Sequence, residues 1–473
     1  MQSSLRPLFW ICIALISLLL FAALGSIPLT SLNEGRRALV VQEMFQQQHW
    51  LIPTLNGELY LAKPPLLYWL ALAISHVLGQ VSELSLRLPS AIAAGLVLIL
   101  TYRAGRQYFS PLVAILAMLL LAANLEFALL ARRAEIEMLL TLFCFGAWLS
   151  FMQFIQQQTQ RALLLSYLLL ALAVLTKGPV ALLFVSLPAL VYGLLNRDKA
   201  VLAYFTNLPA WCLFILVAGT WYLLVSWQLG FDIWGAIIQH DMLDKVQSEA
   251  SAKPVFSYLA WLLLDFYLLL FLLFWPKPNF YQQLKQHSAG KLLALGAIVP
   301  LLMFSSFANK HGKYLLPIYP LLALLLAWQI SLIGQYGRQK FAQYVLALAC
   351  ILVAGLMLFY VLLEEQYFAY RFTALREFSV WHSQYPQVPM VSLSPLDSRL
   401  IFYAGKPIAQ LDMPQLITRI QREPSILVLA EQTPITFDKS LAPCTMQNFQ
   451  PYLKKSKTLY VYGLGQICAQ GDK

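Results

Sequence analysis

Apolar runs of about eighteen or more residues recur along this chain, each long enough to cross the hydrocarbon of a bilayer as a helix. A spanning segment must satisfy its own backbone, so repeated runs of this length dictate a helical bundle. Of the 473 residues, 59% are hydrophobic and only 12% charged, which excludes a soluble globular protein. The runs place full spans at 8–27, 87–105, 111–130, 137–155, 162–176, 179–195, 207–228, 255–275, 290–308, 313–333 and 341–363. The first follows Arg6 and lacks a small-x-small cleavage site, so it reads as an uncleaved helix. The run 66–79 is too short to cross comfortably and reads as an interfacial or re-entrant helix. The expectation is eleven spans, with up to thirteen allowed.

From Glu364 the composition changes. Strand-like runs at Pro389–Leu393, Ile426–Leu429 and Thr458–Tyr462, with a helix-like stretch from Pro414 to Arg422, predict a small α/β domain over 364–473. It follows a transmembrane domain over 1–363, whose first outer loop covers 28–86. With the N-terminus inside, the inner loops hold Arg6, Arg103, Arg106, Arg161, Arg197, Lys199, Lys277, Lys285, Lys291, Arg338 and Lys340 against one clear acid, Asp198. Their base density predicts a cytoplasmic N-terminus and, with eleven spans, a tail on the outer face. The net charge of +11 is scattered over short membrane loops, which fits anionic lipid and not nucleic acid. Cys12, Cys144, Cys212 and Cys350 read as small core residues. Cys444 and Cys468 lie in the tail, where an oxidising compartment would let them pair.

The remaining charge gathers in the outer loops. The first begins Asn33-Glu34-Gly35-Arg36-Arg37 and is helical to about Gln47. Pro53, Asn56-Gly57 and Pro64-Pro65 then break it into short pieces, with Lys63 held extended before the two prolines. Tyr60, Tyr68 and Trp69 complete it. It reads either as an anion site with an acid beside it or as a solvated interfacial loop carrying an aromatic belt. The second outer loop is Arg132-Arg133-Ala134-Glu135-Ile136-Glu137. On a helix its two carboxylates would diverge by about 200°, so one would face a site and the other a basic neighbour, unless both merely fix helix ends. A third loop carries His240, Asp241, Asp244 and Lys245. The turn Asn309-Lys310-His311-Gly312-Lys313-Tyr314 brings two more lysines, and Lys177-Gly178-Pro179 another. Outer bases run against the usual charge bias, and a phosphate-bearing headgroup accounts for them. Glu126 and Asp265 are ionisable within apolar runs and are functional candidates on that ground. No relay of acids links them through successive spans, which weakens proton-coupled transport.

In order along the chain stand Asn33-Glu34-x-Arg36, Trp50-x-x-Pro53, Asn56-Gly57, Tyr60 and Lys63-Pro64-Pro65-x-x-Tyr68-Trp69. Arg87-Leu88-Pro89, the stretch from Arg132 to Met138, Lys177-Gly178-Pro179, Gln239-His240 and Lys313-Tyr314-Leu315-Leu316-Pro317-x-x-Pro320 follow. Together these resemble the GT-C glycosyltransferases that use lipid-phosphate sugars, in the branch of the lipid A aminoarabinose transferases, with protein mannosyltransferases as distant relatives. The resemblance runs over about residues 25 to 335. It implies inverting transfer of a sugar from a polyprenyl (undecaprenyl) phosphate to a lipid or glycan acceptor, with a protein acceptor or a flippase as alternatives.

On that resemblance Glu34, Glu137 and Asn33 take the catalytic positions. Lys63, Arg36, Arg37, Lys310, Lys313 and Tyr314 would hold the donor phosphate. Tyr60, Tyr68, Trp69, Arg132, Arg133 and His240 would line the substrates. The family usually carries Asp-Glu where this chain has Asn33-Glu34, so a base would have to be Glu34 or Glu137. It usually carries Asp at the position of Glu137. The aminoarabinose transferases place Glu before the Lys-Pro-Pro lysine, whereas this chain has Ala62. That removes a metal ligand beside His240, so no cofactor is called for and a divalent metal is disfavoured.

Overall fold

In the computed structural model, which describes residues 5–237, 253–275, 279–335, 339–431, 434–437 and 441–470, eight helices are long and apolar enough to cross a membrane. They are Glu83–Tyr108, Ile136–Gln157, Gln160–Lys177, Pro179–Asn196, Leu208–Leu229, Ser288–Ser305, Gly312–Gln335 and Lys340–Arg371. A ninth is bent: Pro111–Ala122 and Leu125–Ala131 meet at 69°, where Asn124 leaves the helix and caps the second piece through Phe127 N–H. The first helix, Leu5–Phe21, is shorter than the run 8–27. The run 66–79 is the short helix Leu66–Leu78. The run 255–275 is not one helix. Ser257–Asp265 stops, Tyr267 and Leu268 take positive φ values of 52° and 61°, and a 3-10 turn covers Leu269–Phe274. Tyr267 Oη donates to Ala123 O and Asn124 Nδ2 donates to Asp265 O, so the two breaks satisfy each other's exposed carbonyls. His240, Asp241, Asp244 and Lys245 lie outside the described residues.

The chain divides into two compact units. One comprises Met1–Leu24, Leu61–Ala71 and Arg87–Val361, the other Gly25–Tyr60, Leu72–Leu86 and Leu362–Lys473. In the first, one continuous apolar core runs through the helices, with Trp148, Phe151, Tyr167 and Tyr204 in ring contact. Gly296 permits a close approach, since a Cβ there would meet the Trp148 indole nitrogen at 2.6 Å. Arg132 is buried, donates to Leu19 O in the last turn of the first helix, and lies 5.3 Å from the Tyr360 ring centroid. It therefore closes a helix end whose carbonyls have no intrahelical donor.

The second unit is built on a five-stranded sheet. The strand Met390–Ser392 pairs in parallel with Ala409–Gln410 and with Ser425–Glu431. Leu459–Gly465 is antiparallel to Ser425–Glu431, and Cys444–Phe449 forms the far edge. The parallel crossovers run through the helices Ser398–Ala404 and Met413–Ile420. Ile426, Val428 and Ala430 pack on one face with Leu416, while Leu427 and Leu429 pack on the other with Leu375, Phe378 and Leu400. The central strand is thus buried on both faces, which is why it reads as an unbroken apolar run. Ile27 and Leu39 join that second face, so the segment after the first helix shares a core with the tail.

Polar contacts fix this pairing. Gln42 Nε2 donates to Phe402 O (3.2 Å) and Gln46 Nε2 to Gly405 O (2.9 Å). The Asn56 amide donates to Ile408 O and accepts from Ile408 N–H, both at 2.8 Å. Arg399 holds Asp397 through two nitrogens and donates to Thr30 O. Cys444 and Cys468 form a disulfide.

His382 is buried in this unit and stacked on Phe378, and its Nε2 has no hydrogen-bond partner. Burial, and then the Lys406 ammonium, holds its pKa below the usual 6.5. The unfolded chain therefore binds the proton first as pH falls, and stability is lost from about pH 6.5 downward. His382→Phe is expected to remove this contribution. Thermal unfolding of wild type and variant between pH 7.5 and 5 checks it, since the gap between them should widen as the pH drops.

Candidate functional site

Three helix ends carry a group of charges within the first unit. Glu135 is the N-cap of the helix Ile136–Gln157, with extended backbone angles, and Glu137 lies in its first turn. Lys177 ends the helix Gln160–Lys177, and Lys313 opens the 3-10 turn Gly312–Ile318. Acids at a helix start and a lysine at a helix end each oppose the local dipole, so the sequence tolerates them there. The N-cap residue departs from helical geometry, and this overturns the expected 200° divergence of the two carboxylates. Lys313 Nζ lies 3.3 Å from Glu135 Oε2 and 3.7 Å from Glu137 Oε1, and Lys177 Nζ lies 3.3 Å from Glu137 Oε1.

The carboxylates are 5% and 2% exposed, whereas Lys313 and Lys177 are 19% and 13% exposed. The acids stand behind and the ammonium groups in front, which is the arrangement an incoming anion needs. Lys177 also lies over the Tyr314 ring at 4.4 Å. His311 packs against that ring. Partial burial, then the ammonium groups of Lys253, Lys313 and Lys177, hold its pKa below the usual range, so four basic side chains share this corner.

Lys310, expected to bind the same phosphate, is only 3% exposed. Its ammonium donates to the carbonyls of Lys253 and Phe307. A cavity of about 230 Å³ adjoins Lys313, lined by Glu126, Trp261, Leu264, Asp265 and Gly312. Tyr319 Oη donates to Asp265 Oδ2 at 2.6 Å.

Of the other expected residues in this unit, Lys63 is half-buried and donates to Ala62 O. Tyr68 is buried and Trp69 half-buried. Arg132 braces the first helix, as described, and Arg133 is 7% exposed. Among the described residues no group of three or more His, Cys, Asp or Glu side chains gathers as a metal site.

The second unit holds Asn33, Glu34, Arg36, Arg37 and Tyr60. Ser31 Oγ caps the helix Leu32–Gln47 by accepting from Glu34 N–H, and Glu34 Oε2 reaches back to accept from Thr30 N–H and Thr30 Oγ1. This is a capping box displaced by one residue, and it accounts for a fully buried carboxylate. Arg37 Nη1 donates to Asn33 O, while Arg36 is exposed. Tyr60 N–H donates to Pro53 O, closing the hairpin whose turn is Asn56-Gly57. The resemblance assigns no role to Lys177, Glu135, Glu126 or Asp265, which stand out in the sequence only as charges beside or within apolar runs.

The crystal structure of ArnT from Cupriavidus metallidurans bound to undecaprenyl phosphate superposes with a TM-score of 0.80 at 17% identity, over 96% of this chain and 98% of that one. The profile of the dolichyl-phosphate-mannose-protein mannosyltransferase family matches residues 62–223. The chain has the GT-C glycosyltransferase fold. An undecaprenyl phosphate-alpha-4-amino-4-deoxy-L-arabinose arabinosyl transferase of Pseudomonas fluorescens is 30% identical over 334 residues, 68% of this GT-C chain and 58% of that protein. The chain thus spans somewhat over half the length of the named transferase. An uncharacterized protein of Aquifex aeolicus is 28% identical, over 72% of this chain and 76% of its own length. An archaeal oligosaccharyltransferase of Archaeoglobus fulgidus shares the fold more loosely, with a TM-score of 0.56.

Proposed function

We propose that this GT-C protein is an inverting glycosyltransferase that takes a sugar from a polyprenyl phosphate and passes it to a lipid acceptor. The single observation that carries this reading is the Lys177–Lys313 pair, held from behind by Glu135 and Glu137. In the reaction an acceptor oxygen attacks the anomeric carbon, and the bond from that carbon to the phosphate oxygen breaks. The leaving polyprenyl phosphate gains negative charge, and fixed cations aimed at that charge are the largest expected contribution to rate. Glu135 and Glu137 keep both ammonium groups in place before the donor arrives, so little reorganisation accompanies the step. The ArnT structure with undecaprenyl phosphate bound supports the donor class. Protein O-glycosylation is the second reading, favoured by the mannosyltransferase profile over residues 62–223.

The expected orientation has the N-terminus in the cytoplasm and the tail on the opposite face of a bacterial inner membrane. The disulfide Cys444–Cys468 supports an oxidising location for the tail. The domains proposed are 1–363 for the membrane part, of which 25–60 and 72–86 fold with the tail, and 364–473 for the tail. To test the activity, the purified protein is given undecaprenyl-phosphate-linked sugars with a lipid A acceptor, and release of undecaprenyl phosphate is followed. Acceptor-dependent release is the expected result; its absence with every donor, on both lipid and peptide acceptors, removes the transferase reading.

A further inference from the structure

The cavity beside Lys313 has a lining that phosphate binding does not explain. Two carboxylates, Glu126 and Asp265, face about 230 Å³ of space. Trp261 forms a wall, with the Lys253 ammonium 4.9 Å from its ring centroid. Gly312 lies opposite the indole and adds no side chain to the space. Leu264, also in the lining, is 62% exposed. Among the described residues the Glu126 carboxylate makes no hydrogen bond or ion pair, and the Asp265 carboxylate accepts only from Tyr319 Oη. Several carboxylate lone pairs are therefore open in a small, partly apolar space, where unused hydrogen-bonding capacity is costly. Gly312 is the residue next to Lys313, and Lys313 acts electrostatically on Glu126.

We infer that this cavity is the subsite for the transferred sugar ring, and that Glu126, with Trp261, selects rings that present hydrogen-bond donors and rejects rings that carry a carboxylate. This rests on the transferase reading. An aromatic wall accepts the C–H face of a pyranose, and carboxylates accept from its hydroxyls or from a ring ammonium. An anionic ring would meet two carboxylates in a poorly screened space and would be repelled. The phosphate on Lys313 and the ring beside Gly312 would be as near each other as adjacent parts of one glycosyl phosphate must be.

The test measures binding to the full chain in nanodiscs of four probes: undecaprenyl phosphate, and the same lipid carrying mannose, 4-amino-4-deoxy-arabinose or galacturonic acid. Wild type is expected to bind the mannose or the amino-sugar lipid at least about tenfold more tightly than the uronic lipid, roughly the gain from one or two well-placed hydrogen bonds. Glu126→Ala should erase that preference and leave affinity for the bare lipid within about twofold. Glu126→Gln separates the two donor chemistries, because it still accepts from a hydroxyl but loses its charge attraction for an ammonium. Gly312→Ala probes the space with every acid retained. Its Cβ would make ordinary contact with the indole at 3.8 Å, and sugar-loaded lipids should weaken while the bare lipid does not.

Equal affinity of wild type for all four lipids would overturn the subsite. So would variants that weaken the bare lipid as much as the loaded ones. Sugar-dependent binding without turnover would remove the transferase reading and keep the subsite. Turnover with no sugar dependence in binding would do the reverse.

Discussion

Replacing Lys313 by alanine is expected to lower kcat/KM for transfer from an undecaprenyl-phosphate-linked sugar by about 10²- to 10³-fold, the usual cost of removing one preorganised partner of developing negative charge. The same change leaves Glu135 without its ammonium partner at 3.3 Å, so a loss of fold could mimic a loss of chemistry. The double variant Glu135→Gln, Lys313→Met separates them. It restores charge balance behind the site and should recover most of the thermal stability lost by Lys313→Ala, yet stay as inactive. Lys313→Arg should sit between, since a guanidinium keeps the charge but not the point-like geometry that fits between two carboxylates. Recovery of both activity and stability in the double variant would show that Lys313 serves the fold alone.

Much of this arrangement was legible in the sequence, and the parts that were not share a cause. The helix Leu32–Gln47 matches the expected helix from about Asn33 to Gln47, and the central tail strand was readable from its run of Ile426-Leu427-Val428-Leu429. That Leu39 and Leu427 belong to one core was not readable, because nothing local in either segment marks a partner nearly four hundred residues away. Glu135 was misjudged through geometry, since helical angles were assumed for a residue that caps the helix from outside it. Lys310 and Lys313 look alike as letters three apart. One is turned onto the carbonyls of its own turn and of Lys253, and the other onto carboxylates from another helix. Lys177 stood out as one of several outer-loop bases, but nothing in the sequence says that it and Lys313 meet at one pair of carboxylates. The break at Tyr267–Leu268 was hidden inside an apolar run, where hydropathy is blind to backbone conformation.

Removing the tail disulfide by Cys444→Ser together with Cys468→Ser is expected to cost the second unit about 3.5 kcal/mol, the chain-entropy value for a closed loop of its size. The two cysteines are 24 residues apart. Cys444 begins the edge strand, and Cys468 lies in the short helix that follows Leu459–Gly465. The bond therefore pins the outermost strand to the chain's last element. Ser425–Glu431, paired on both sides, does not depend on it. Loss of the bond should accordingly appear first as local opening. Limited proteolysis of the full chain is expected to cut the variant within 444–470 at denaturant concentrations where wild type resists, with the segment 390–431 cut only later. A reducing agent should convert wild type to the variant's cleavage pattern. In intact cells, a membrane-impermeant maleimide should label the tail thiols only after reduction. Labelling without reduction would mean that the thiols do not pair in the cell, and the argument for placing the tail on an oxidising face would go with it.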